Sequence, residues 1–142
     1  GHDLAASGLG DRVHFVGVLD EAAMVEQYLS SHVFVSASTV ENESNSLSEA
    51  KLLGVPAVAS YVGGVVDRIE HGTTGFFYQH DAPYMLAHYV GRLFRDQSLC
   101  ESFSSGGRAA SLRLNDPARN AELRRDAYAA ILQEARLDAR GS

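Results

Sequence analysis

Short apolar runs alternate with stretches of helical period between residues 14 and 78, and few folds accept that order. His14-Phe15-Val16, ending at Gly17, reads as a buried strand, and Asp20-Glu21 then opens a helix through Met24, Val25, Tyr28 and Leu29. Val33-Phe34-Val35 reads as a second strand. Leu47 to Leu53 reads as a helix stopped by Gly54, with Pro56 just beyond. Ala57-Val58-Ala59 and Phe76-Phe77-Tyr78 are the third and fourth strands, and between them Gly63-Gly64 leads into a short helix closed by Gly72. Strands separated by helices need crossover connections, which predicts a mainly parallel sheet. The expectation is an α/β, Rossmann-like parallel sheet flanked by helices, with a helical C-terminal tail.

That tail is read as two helices. Asp81 is expected to cap the first, with Pro83 in its opening turn and Leu86, Val90, Leu93 and Phe94 on its buried face. Asp116-Pro117 opens the second, with Leu123, Ala127, Ala130 and Ile131 as an apolar stripe. At 142 residues and 45% hydrophobic content the chain supports one domain, expected over residues 3–137, and residues 138–142 are expected to fray.

Charge narrows the function. A net charge of -6 gives no reason to bind a nucleic-acid backbone. No apolar run is long enough to span a membrane, and no secretory leader is visible. The single Cys100 excludes an internal disulfide and fits a cytoplasmic protein. The histidines show no ligand spacing, so no metal site is expected, and His14 is read as a strand residue at the core edge.

In sheets of this class ligands sit at the carboxyl ends of strands. The loop from Ser36 to Ser46 is the most polar such place, and it runs directly into a helix. A helix start offers unpaired N–H groups and a positive dipole end, which suits a diphosphate. Glu41 and Glu49 bracket this start with seven residues between them. A carboxylate accepts two hydrogen bonds well, as a vicinal diol requires. Ser46-Leu47-Ser48-Glu49 equally fits a capping box, in which Glu49 bonds back to the Ser46 backbone, and spacing alone leaves both open. Gly63-Gly64 likewise fits either a ligand-facing wall or a tight turn.

The ordered set Glu41, Glu49, Ala50, Gly54, Pro56 and Gly63-Gly64 closely resembles the donor-binding signature of family 4 retaining glycosyltransferases. The resemblance extends from Asp11 through Gly17 and from Glu70-His71-Gly72 to Gly75-Phe76, covering residues 9 to 80 most strongly. It implies the C-terminal, nucleotide-sugar-binding half of a GT-B architecture, with the N-terminal acceptor domain lying outside this chain. By that likeness Glu41 is the catalytic-site carboxylate, holding hydroxyls of the transferred sugar, and Glu49 holds the ribose. Backbone N–H groups of Asn45, Ser46 and Leu47 would meet the diphosphate, Val18-Leu19 would lie beside the base, and Gly63-Gly64 would shape the cleft wall.

The implied reaction moves a hexosyl group from a UDP-, GDP- or ADP-linked sugar, with retention, to a polysaccharide or lipid-linked acceptor. No cofactor or metal is implied; the nucleotide sugar is the substrate. The parent would be cytoplasmic and peripheral to the inner membrane face. Two features depart from the family: the Arg and Lys that clamp the diphosphate have no counterpart in this chain, and Glu43, expected to face solvent, and Tyr61 stand where relatives carry other residues. A stand-alone nucleotide- or sugar-binding module and a sugar-nucleotide epimerase fragment are the alternatives.

Overall fold

In the computed structural model, residues 8–138 are described. The expected domain start at residue 3 and the expected fraying of residues 139–142 lie outside them, while Asp138 is still helical. A three-stranded parallel sheet, β1 (Phe34–Ser36), β2 (Ala57–Ser60) and β3 (Phe76–Tyr78), runs in the order β1-β2-β3. Phe34 pairs with Ala57, and Val58 with Phe76. Among the described residues there are also five α-helices: α1 (Glu21–Leu29), α2 (Asn45–Leu52), α3 (Pro83–Arg95), α4 (Gln97–Leu114) and α5 (Pro117–Asp138). A 3-10 turn over Gly63–Asp67 replaces the short helix expected after β2. The predicted α/β class, parallel sheet and helical C-terminal region are all present.

β2 is central and buried throughout, so its two-residue period sorts side chains between two cores. Ala57 and Ala59 face Leu47, Val65 and Ile69 on one side. Val58 faces Phe76, Tyr78, Leu93 and Phe103 on the other, beneath α3 and α4. A third cluster, Tyr28, Ala50 and Val55 with Met24 and Phe34, seals α1 against α2 and β1.

Local chemistry explains the boundaries. The Asp20 carboxylate accepts the Ala23 N–H at 2.9 Å and so caps α1. α2 ends in a Schellman motif: Gly54 adopts φ +79°, Val55 N–H donates to Ala50 O at 2.9 Å, and Gly54 N–H to Lys51 O at 3.0 Å. Packing of Val55 against Ala50 completes it.

Several expectations fail. His14-Phe15-Val16 is not a strand: β1 pairs with β2 alone among the described residues, so the run does not take up the outer edge that β1 offers. Phe15 is 87% exposed, and His14 is exposed rather than at the core edge. The residue before α3 is Ala82, not Asp81, and no side chain caps the helix, because Pro83 at its start removes a donor that would need capping. Phe94 turns outward and stacks near His32, at 5.6 Å between centroids. Finally, residues 97–114 form a full helix, α4, capped by Asp96, whose carboxylate accepts the Leu99 N–H at 2.9 Å. The stripe predicted on α5 exists as a helix face, but Leu123 and Ile131 on it are exposed.

Candidate functional site

The loop from Ala37 to Ser44 leaves β1 at its carboxyl end and enters α2. It is tied to the body at several points. Ser60 Oγ, at the end of β2, donates to Ser38 O at 2.6 Å, and Ser38 Oγ donates to a Glu41 carboxylate oxygen at 3.4 Å. Gly64 N–H donates to Glu41 O at 3.3 Å. The Glu43 carboxylate is exposed, as expected, and forms an ion pair with Arg68 there.

Gly63 and Gly64 make this arrangement possible. A Cβ on Gly63 would overlap the Glu41 carbonyl, and one on Gly64 the Asn42 carbonyl. Gly63 also adopts φ +47°, a left-handed conformation that side chains disfavour. The pair therefore supports the Glu41 loop from below by backbone-to-backbone contact. Tyr61, beside it, is exposed and packs edge-on against Phe77 at 5.3 Å between centroids.

The start of α2 tests one of the two readings of Glu49, the capping box. Ser44, buried, is the N-cap residue, and its side chain makes no capping bond. The first helical bond shown is from Ser48 N–H to Ser44 O at 3.2 Å, so the amides of Asn45, Ser46 and Leu47 belong to the unpaired first turn. Helix entry at Asn45 puts Glu49 too far along to reach back, and the capping box does not form. Glu49 instead accepts a hydrogen bond from the Tyr28 hydroxyl, at 3.2 Å.

Glu49 and Tyr28 line a groove of about 420 Å³ with Leu19, Met24, Val25 and Leu52. Burial, and then the hydrogen bond and charge of Glu49, push the Tyr28 phenol up to about 12, so it remains a donor at neutral pH. Of the residues singled out from sequence, the groove gathers Leu19 and Glu49. Val18 is fully exposed and does not line it. Glu41 lies across the loop, against Gly63 and Gly64. On that side a separate cavity of about 310 Å³ is bounded by Asn42, Glu43, Gly64 and Arg68.

Lys51 was not legible as part of this region. Its side chain is 1% exposed, and Nζ donates to Arg68 O and, at 3.5 Å, to Thr74 Oγ1. Desolvation, then the Arg68 charge, lowers its pKa to about 8. The available signal was its place four residues after Leu47, on the same helix face. His71 has a structural role, its Nδ1 accepting the Phe77 N–H at 2.9 Å. Among the described residues no group of three His, Cys, Asp or Glu side chains could hold a metal ion.

The sequence pattern "Glycosyl transferases group 1" matches residues 3–110. The chain belongs to that family. It is 32% identical over 81 residues to the capsular polysaccharide biosynthesis glycosyltransferase CapM of Staphylococcus aureus, covering 57% of this chain and 21% of CapM. Sucrose-phosphate synthase of Thermosynechococcus elongatus superposes with a TM-score of 0.78 at 27% identity, over 89% of this chain and 33% of that one. Anabaena HepE, solved with UDP, superposes with a TM-score of 0.80 at 23% identity, over 89% of this chain and 35% of HepE. The chain thus spans about a fifth of its curated relative CapM. The fold is that of GT-B glycosyltransferases. No helix among the described residues is long and apolar enough to cross a membrane.

Proposed function

We propose that this chain is the C-terminal, nucleotide-sugar-binding domain of a family 4 retaining glycosyltransferase. The observation that carries the reading is the pairing of an uncapped α2 N-terminus with a carboxylate, Glu49, held at the rim of an apolar groove. In this reading the groove beside Leu19 takes the nucleobase, Glu49 takes the ribose diol, and the amides of Asn45, Ser46 and Leu47 take the diphosphate. Glu41, fixed from behind by Gly63-Gly64, takes hydroxyls of the transferred hexose. Charge developing on the departing diphosphate is then met by oriented backbone dipoles, and no bound metal or cofactor is required of this domain.

The HepE complexes with UDP and UDP-glucose support a nucleotide sugar as donor, and CapM's role in capsular polysaccharide supports a polysaccharide acceptor, a lipid-linked acceptor being the other form of this reading. The enzyme would then work in the cytoplasm at the inner face of the membrane. The test is thermal stabilisation of the chain by UDP, GDP, ADP and their sugars. Ligand at one hundred times its dissociation constant adds about 2.7 kcal/mol to stability. The expected result is a response to one base, lost in Glu49→Ala. A full response retained in Glu49→Ala removes Glu49 from the donor site.

A further inference from the structure

We infer that Tyr28 is a positioning residue for donor binding, orienting the Glu49 carboxylate toward the ribose diol. The inference rests on the donor-site reading above and adds to it a residue on α1, outside the loop and helix that the signature covers. Three observations carry it. First, Glu49 forms no capping bond, so nothing at the start of α2 fixes its side chain. Second, Tyr28 Oη donates to one Glu49 oxygen at 3.2 Å, and both side chains line the groove that Leu19 bounds.

Third, the tyrosine ring is itself immobilised. It is 6% exposed, packed with Ala50 and Val55, and set edge-on to Phe34 on β1 at 6.0 Å between centroids. Glu49, by contrast, is exposed and would otherwise sample several rotamers. An ionised carboxylate offers about four acceptor positions. One donated bond from Tyr28 uses one of them and leaves the others for two sugar hydroxyls. A rigid phenol thus converts a mobile surface carboxylate into a preorganised acceptor.

Discrimination between ribose and deoxyribose tests this. Dissociation constants for the preferred nucleoside diphosphate and its 2′-deoxy form are measured on the chain with Tyr28, Tyr28→Phe and Glu49→Ala. A charge-assisted hydrogen bond predicts at least about a tenfold preference for ribose in the parent. Glu49→Ala should erase it, and Tyr28→Phe should carry it most of the way to unity, leaving the affinity for the 2′-deoxy form within about twofold. A ring-fluorinated tyrosine at residue 28 keeps the shape but has a more acidic phenol. It should lose the preference at a pH where the parent keeps it.

A full preference in Tyr28→Phe, with none in Glu49→Ala, overturns the role of Tyr28 and leaves the donor site standing. Equal weakening of both ligands in Tyr28→Phe, or an unchanged pH profile in the fluorinated protein, also overturns it, since a merely structural residue would behave so. No binding by the parent, or a preference that survives Glu49→Ala, overturns the donor-site reading and this role together.

Discussion

Single residues at this site act mainly by constraining one another. Gly63 and Gly64 look in sequence like a turn or a ligand wall; in the structure their missing side chains make room for the Glu41 and Asn42 carbonyls. That contact joins residues more than twenty positions apart, so no local pattern could reveal it. Both neighbours are backbone, and a methyl group at either glycine must displace the loop. Gly64→Ala is therefore expected to cost about 1–3 kcal/mol, the range for overpacking. Gly63→Ala should cost more, because left-handed backbone adds about 1–2 kcal/mol for a residue with a side chain. Urea unfolding checks both. Midpoints equal to the parent's would mean that the loop is not held by these contacts. Glu41 offers a second readout: moving its loop should weaken nucleotide-sugar binding more than binding of the nucleoside diphosphate alone.

At the scale of elements, legibility followed the strength of local signals. α1 was readable because Asp20 precedes a clean apolar period, and the end of α2 because Gly54 supplies the αL residue a Schellman motif needs. β2 and β3 were readable as short apolar runs. α4 was not, because its buried face is built of Phe103, Gly107 and Ser111, which give no apolar period. A Cβ on Gly107 would lie 3.3 Å from Lys51 Cε and 3.4 Å from Thr74 O, so α4 needs a small residue there to approach α2. The strand expected at His14-Phe15-Val16 does not form, because an apolar, β-branched run signals strand propensity without ensuring that the run pairs with the sheet. Glu49 is singled out in sequence by spacing together with the family resemblance, whereas its hydrogen-bond partner Tyr28 shows there only as part of the apolar period of α1. Asp96 ends α3 and caps α4 at once, with no loop between them. Asp96→Ala should therefore cost about 1 kcal/mol, the usual value of an N-cap, read as a lower urea midpoint with unchanged slope. An unchanged midpoint would show that packing of Phe103 alone sets the start of α4.

Across the whole molecule α2 links the two regions that matter, with Glu49 facing the groove and Lys51 entering the interior toward Arg68, Thr74 and α4. Burying the ammonium ties folding to pH. The folded pKa of Lys51, about 8, lies below its ordinary value of 10.5. Between these values the unfolded chain binds a proton that the folded chain has released, so stability rises with pH. Other groups then oppose the rise. Burial, and then Glu101, raise the Cys100 thiol from 9.0, and burial raises Tyr78 from 10.0, while Tyr28 moves to about 12. Each of these keeps its proton in the folded state after the unfolded chain has lost it, so each makes stability fall, from about pH 9 for the thiol and about pH 10 for the phenols. Stability should therefore climb from about pH 8 to 9, flatten, and decline above 10. Lys51→Met should flatten the climb and leave the decline in place, with urea midpoints at pH 7, 8, 9 and 10 as the measurement. Removing the ammonium leaves the Arg68 carbonyl without that donor, so the variant need not be more stable at pH 7. The difference in slope between pH 8 and 9 is what isolates Lys51, and parallel profiles for the two proteins would show that its proton is not coupled to folding.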